Sequence, residues 1–313
     1  MRLARRCRPH RYLRSAASFM LPNFLCVGAQ KAGTTTLDQI LRQHPDIFLP
    51  RKVKETKFFV FADRYAKGAA WYEQEFFSEW NGQKAVGEVD PAMMFEEPAA
   101  GRIAETLGRN VKLIFLLRHP ATRAYSHYLM SRRRGFETLS FQEALQAEPQ
   151  RLQQDSDRRL QFSYLARGYY AGQIERFLKL FPRDHMLFLI MEEDLIRNRS
   201  LTFRRIQEFL DVPVRPLNLD IRRNEAADIR LPWLHRLMRG KGLIRSAASV
   251  LLPRSLRRRL QQAGERLNTA PSRTPQLSPQ RAAELIEQYF LTDIKRLEQL
   301  IDRDLSCWYA PQS

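Results

Sequence analysis

Four short apolar runs recur along the chain, at Phe24–Val27, Val86–Val89, Val111–Leu117 and His185–Met191. Between them, apolar residues return at helical spacing, as at Leu37, Ile40 and Leu41 after the first run. Short apolar runs without polar alternation predict strands buried on both faces. Val111–Leu117 is the clearest case, with six apolar residues in seven. Strands alternating with helices predict an α/β protein built on a central parallel sheet flanked by helices. A chain of 313 residues that is 44% hydrophobic can bury one large core. The expected organisation is a basic N-terminal tail over 1–20, then a single domain over 21–313 carrying a basic helical insert at about 226–277.

Charge changes this picture only locally. The net charge is +18, but residues 1–18 hold six arginines and no acid, and residues 236–273 hold ten Arg or Lys against Glu265 alone. Outside these two stretches the chain is nearly neutral. In 236–273, Leu237, Met238, Leu243, Ile244, Val250, Leu251 and Leu252 alternate with basic residues. That pattern suits an amphipathic hairpin, or a surface for an acidic membrane or another polyanion. Nucleic acid is disfavoured, because no aromatic interleaving or known nucleic-acid motif accompanies the charge. No run of eighteen apolar residues occurs, so no transmembrane span is expected. The apolar stretch after the basic start leads straight into the first strand, which argues against a cleaved signal peptide. A cytoplasmic protein is the expectation, with a peripheral place at the inner face of a membrane as the alternative. Cys7, Cys26 and Cys307 are far apart and the six histidines are scattered, so neither a disulfide framework nor a metal site is expected.

The chemistry begins where the first run stops. Gly28 is followed by Lys31, then Gly33-Thr34-Thr35-Thr36 opens an amphipathic segment. Strand, tight turn and helix N-terminus together aim free N–H groups at an anion in the turn. Here the lysine precedes the second glycine, whereas a nucleoside-triphosphate loop ends Gly-Lys-[Ser/Thr]. Two further segments join it. Lys54-Glu55-Thr56-Lys57-Phe58-Phe59 sets a carboxylate between two lysines, ahead of an aromatic pair. Arg118-His119-Pro120 follows the third strand, at the edge where open α/β sheets hold ligands, and Ser126 lies two turns into the helix that Pro120 opens.

These three segments resemble the sulfotransferases that use 3′-phosphoadenosine 5′-phosphosulfate (PAPS), in particular the heparan-sulfate-type and bacterial branch. The resemblance covers about 22–225 and 278–308 and implies a P-loop-like nucleotide-binding fold. It implies that Lys31, Ala32, Gly33, Thr34, Thr35 and Thr36 hold the 5′-phosphosulfate, and that Lys31 stabilises the leaving phosphate. Glu55 becomes the general base, while Arg118 and Ser126 hold the 3′-phosphate. PAPS is the cosubstrate, 3′-phosphoadenosine 5′-phosphate (PAP) the product, and no metal is required. The closing loop over the 3′-phosphate is not evident; Arg222 and Arg223 are the best substitute. Met93 and Met94 stand near a position where many relatives carry tyrosine, a departure that bears on acceptor contacts. The implied acceptor is a carbohydrate hydroxyl or amine, with a lipid or small-molecule alcohol as the alternative. Two other classes stay open: a polyanion-binding protein that has lost catalysis, and a nucleotide kinase, which lacks its expected strand-end aspartate here.

Overall fold

Strand β1 (Phe24–Gly28) is buried along its whole length, as a strand with neighbours on both edges and helices on both faces must be. The computed structural model describes residues 20–154, 156–221, 227–229, 269–271 and 276–309. β1 lies at the centre of a five-stranded sheet with β2 (Ile47–Phe48), β3 (Ala85–Val89), β4 (Lys112–Leu117) and β5 (Met186–Ile190). Their order is β2-β3-β1-β4-β5, and every pairing is parallel. The four apolar runs are four of these strands. β2 escapes the pattern because two residues carry no periodicity.

Helices α1 (Thr34–Leu41), α2 (Ala62–Tyr65), α3 (Gly68–Phe76), α4 (Ala99–Leu107), α5 (Pro120–Arg133), α6 (Phe141–Leu152), α7 (Ser156–Phe162), α8 (Tyr170–Leu178) and α9 (Arg199–Phe209) connect and cover the strands. Pro120 stands in the first turn of α5, and the His119 side chain accepts the Thr122 N–H there. The C-terminal segment runs as Pro279–Leu285, a π-helical turn Ile286–Phe290, and Leu291–Ile301. It ends with Trp308 fully buried, its indole N–H donating to Glu192 at 3.3 Å.

The connections from β1 lead outward to β3 and β2, and those from β4 lead the other way to β5. The strand order therefore reverses between β1 and β4, which opens a crevice at their carboxyl ends. Gly28 closes β1 there and Leu117 closes β4.

Within the expected insert at 226–277, two short strands, β6 (Ala227–Ile229) and β7 (Thr269–Pro271), pair antiparallel. Residues 226, 230–268 and 272–275 of that stretch, residues 1–19 of the tail over 1–20, and Arg222 and Arg223 lie outside the described residues. Among the described residues no helix is long and apolar enough to cross a membrane.

Candidate active site

The turn after β1 is built by three close constraints. Met94 packs against Gly28, whose position has no room for a side chain. The Ala29 N–H donates to Leu116 O at 2.6 Å, tying the turn to β4. Lys31 and Gly33 then adopt left-handed conformations, with φ of 72° and 96°, and curl the chain into α1. Gly33 is the N-cap, and the first bond of the helix ladder runs from Leu37 N–H to Gly33 O. The N–H groups of Thr34, Thr35 and Thr36 therefore precede the ladder. Ala32 is buried, and its own N–H donates to Ala29 O at 3.3 Å inside the turn.

Arg118 emerges from β4 beside this turn. It donates from Nη1 to Lys31 O at 3.0 Å and from Nε to Thr122 Oγ1 at 3.1 Å, joining the turn to α5. Its carbonyl accepts the Tyr170 hydroxyl at 2.9 Å. The Lys31 amine reaches the Met130 sulfur of α5 at 4.0 Å. Burial first, and then the guanidinium groups of Arg133 and Arg118, push the Lys31 ammonium down to about 8. A cation held at such a cost is poised to gain from an anion. Ser126 lies half-buried on α5.

Glu55 is reached through the aromatic pair that follows it. Phe58 and Phe59 are fully buried; Phe58 stacks on Tyr72 of α3 at 4.2 Å between ring centroids. This anchors a loop whose other end carries Lys54 and Glu55. The Lys54 amine lies 3.2 Å from Thr34 Oγ1 and 3.5 Å from Thr35 Oγ1. It also lies 3.6 Å from Glu55 Oε1. One ammonium thus spans the threonines of the turn and the carboxylate of the loop.

Beneath the loop lie two carboxylates that end β3. Glu88 accepts Thr56 N–H at 2.6 Å and the Tyr72 hydroxyl at 2.6 Å. Burial, with the charge of Asp90 beside it, pushes Glu88 up to about 7. Asp90 accepts both the N–H and the ammonium of Lys57. Burial alone would raise the Glu55 carboxyl, but Lys57 and Lys54 outweigh it and hold it below the usual carboxylate range. Glu55 is therefore ionised at neutral pH, the state a general base requires.

The structure brings Lys31, Ala32, Gly33, Thr34, Thr35, Thr36, Glu55 and Arg118 to this one crevice, with Ser126 on the helix that Arg118 joins to the turn. His127, one residue on, is fully buried against Tyr164 and faces no solvent. Sequence reasoning left Glu88, Asp90 and Tyr72 unassigned. Their signal was present: two acids in five residues of an otherwise apolar strand and its exit, Val86-Gly87-Glu88-Val89-Asp90. Arg123 and Arg167 were also missed. Both are buried, Arg123 donating to Tyr164 O and Arg167 lying 4.4 Å over the Phe95 ring. Among the described residues no cluster of His, Cys, Asp and Glu could hold a metal ion.

Comparison with known proteins gives the family of the chain. Residues 21–230 match the model of the sulfotransferase domain family. The chain is 33% identical over 204 residues to a mouse heparan sulfate glucosamine 3-O-sulfotransferase 3B1, covering 64% of this chain and 48% of the relative. It is 39% identical over 113 residues to the membrane-associated sulfotransferase kil1 of Dictyostelium discoideum, covering 36% of this chain and 23% of that protein. The chain thus spans about half, or less, of the length of these relatives. The crystal structure of a sulfotransferase from Alicyclobacillus acidocaldarius superposes with a TM-score of 0.64 at 28% identity, covering 92% of this chain and 99% of the other.

Proposed function

Because this chain belongs to the sulfotransferase domain family, we propose that it transfers a sulfuryl group from PAPS to a hydroxyl or amine of a carbohydrate. The relatives named for heparan sulfate carry both O- and N-sulfotransferases, and both acceptor types are kept here. The observation that carries this reading is the Lys54 ammonium, held at once by the Thr34 and Thr35 hydroxyls and by the Glu55 carboxylate. It ties the anion-binding turn to the loop that carries the base, so an acceptor bound beside this cation would be in reach of both.

The donor set fits PAPS. The N–H groups of Thr34 to Thr36 and the Thr34 and Thr35 hydroxyls offer neutral donors to a phosphosulfate, and Lys31 and Lys54 offer charge. Arg118 with Ser126 would hold the 3′-phosphate. PAPS supplies an activated sulfuryl group, so the protein needs no metal to generate a nucleophile. Its tasks are to orient the acceptor, to take its proton at Glu55, and to keep Lys31 beside the charge that grows on the leaving phosphate. A working place in the cytoplasm, where PAPS is made, belongs to the same proposal.

The test is calorimetric titration with PAP in the absence of metal, with ATP and AMP as controls. Tight PAP binding with little response to ATP or AMP is expected. Transfer of radiolabelled sulfate from PAPS to N-desulfated heparan sulfate is then measured. Protein that is folded but does not bind PAP would overturn the donor assignment. PAP binding with transfer only to lipid or small-molecule alcohols would replace the acceptor class.

A further inference from the structure

We propose that Lys57, gripped by Asp90, is the positioning residue for Glu55, and that this three-membered Asp90–Lys57–Glu55 array sets the pH at which Glu55 accepts a proton. The proposal rests on the sulfotransferase reading above. Lys57 has a left-handed backbone, φ 61°, which a non-glycine residue holds only when its surroundings impose it. The imposing group is Asp90. It is fully buried and fixed to β1 through its N–H on Cys26 O at 3.0 Å. It takes the Lys57 N–H at 3.2 Å and the Lys57 ammonium at 2.7 Å. The same ammonium lies 2.8 Å from Glu55 Oε2. One lysine, held at backbone and side chain by one carboxylate, thus presents its remaining reach to the other.

Three members do what two cannot. In the proposed step the acceptor's O–H or N–H bond breaks and its proton goes to a Glu55 oxygen. The acceptor atom bonds to sulfur, and the bond from sulfur to the phosphate oxygen breaks, its electron pair leaving on PAP. Glu55 becomes neutral. If Lys57 had no other partner, that would leave a buried ammonium unpaired, which opposes the transfer. Asp90 keeps Lys57 neutralised before and after, so Glu55 can be oriented by Lys57 without being clamped by it.

Other groups face this array. Lys54 approaches Glu55 from its own loop. Glu88 ends β3 beside Asp90 and is bonded by Tyr72 of α3. Arg64 of α2 donates to Thr56 O. Arg167, in the turn before α8, acts on Asp90 and Glu55 through its charge. All are unchanged in the variants below, so differences between variants report Lys57 and Asp90.

The two arms of the array predict opposite shifts. Lys57→Met removes the cation, and the Glu55 pKa should rise by about one pH unit or more. Asp90→Asn leaves Lys57 to Glu55 alone, and the pKa should fall by a comparable amount. Lys57→Arg should stay near the wild type, which guards against variants that fold poorly. The readout is the pH titration of the Glu55 carboxyl carbon by NMR of 13C-glutamate-labelled full chain, its signal assigned by its absence in Glu55→Gln. The acid limb of kcat/KM, with PAPS and N-desulfated heparan sulfate, should move with it. Shifts in the same direction, or none, in Lys57→Met and Asp90→Asn would overturn the proposal. If the wild type transfers no sulfate, the functional reading fails, and the titration still decides whether the array exists.

Discussion

Gly28→Ala should be a damaging single methyl addition at the site. A Cβ at Gly28 would lie 2.6 Å from the Met94 Cβ and 2.7 Å from its sulfur, where non-bonded carbons rest at about 3.5–4.0 Å. The overlap is therefore on the order of 1 Å. Met94 has little freedom to yield, because its N–H donates to Val27 O at 2.8 Å and its side chain is buried. Relief would require the ends of β1 and β3 to part, and overpacking of this kind costs about 1–3 kcal/mol. Gly101→Ala is the internal contrast. Gly101 is exposed on α4 with nothing within 4 Å of an added Cβ, so it should gain about 0.5–1 kcal/mol from helix propensity. Urea denaturation at constant m reads both as shifts of midpoint, in opposite directions. Since Gly28 leads into the turn at Lys31, folded Gly28→Ala should also bind PAP more weakly by calorimetry. A Gly28→Ala midpoint equal to the wild type would refute the close-approach reasoning.

Glu55→Gln should lower turnover by about a hundredfold or more while PAP affinity stays unchanged; radiolabelled transfer beside calorimetry separates the two. Arg118→Ala should weaken PAP binding by roughly ten- to a hundredfold, the value of a charge-assisted contact, and unchanged affinity would remove Arg118 from the donor site. The Lys31 ammonium is pushed down to about 8 from the usual 10.5 of a lysine, so PAP binding between about pH 8 and 9 should take up part of a proton and weaken as pH rises. Calorimetry in buffers of different ionisation enthalpy measures that uptake, which should vanish in Lys31→Ala together with turnover. Glu88 is raised from 4.5 to about 7. The native state therefore binds more protons than the unfolded chain in that window, and this group's contribution to stability is lost as pH rises through it. Glu88→Gln should flatten the corresponding slope in urea midpoints measured from pH 4.5 to 7.5.

The features of this protein that depend on near neighbours are legible in its sequence. Buried strands announce themselves as apolar runs, because a strand covered on both faces has no solvent side to mark. The Gly28–Thr36 spacing was legible because a turn feeding a helix N-terminus needs its special residues within a few positions of one another. Arg118 and Pro120 could be placed for the same reason, at the end of one run and the start of the next helix. Tertiary structure alone decided which distant groups share a charge. Lys57 and Asp90 are 33 residues apart, and only the parallel pairing of β3 with β1 places Asp90 under the loop that carries Glu55. In the sequence Lys54 stood only as a lysine flanking Glu55; the packing of Phe58 on Tyr72 turns its loop so that its amine meets Thr34, 20 residues away. His127 follows Ser126 directly in the chain and yet is core, because one residue along a helix rotates a side chain by about 100°. Electrostatic partners are chosen by distance in space, and chain order encodes that distance only after the sheet has formed.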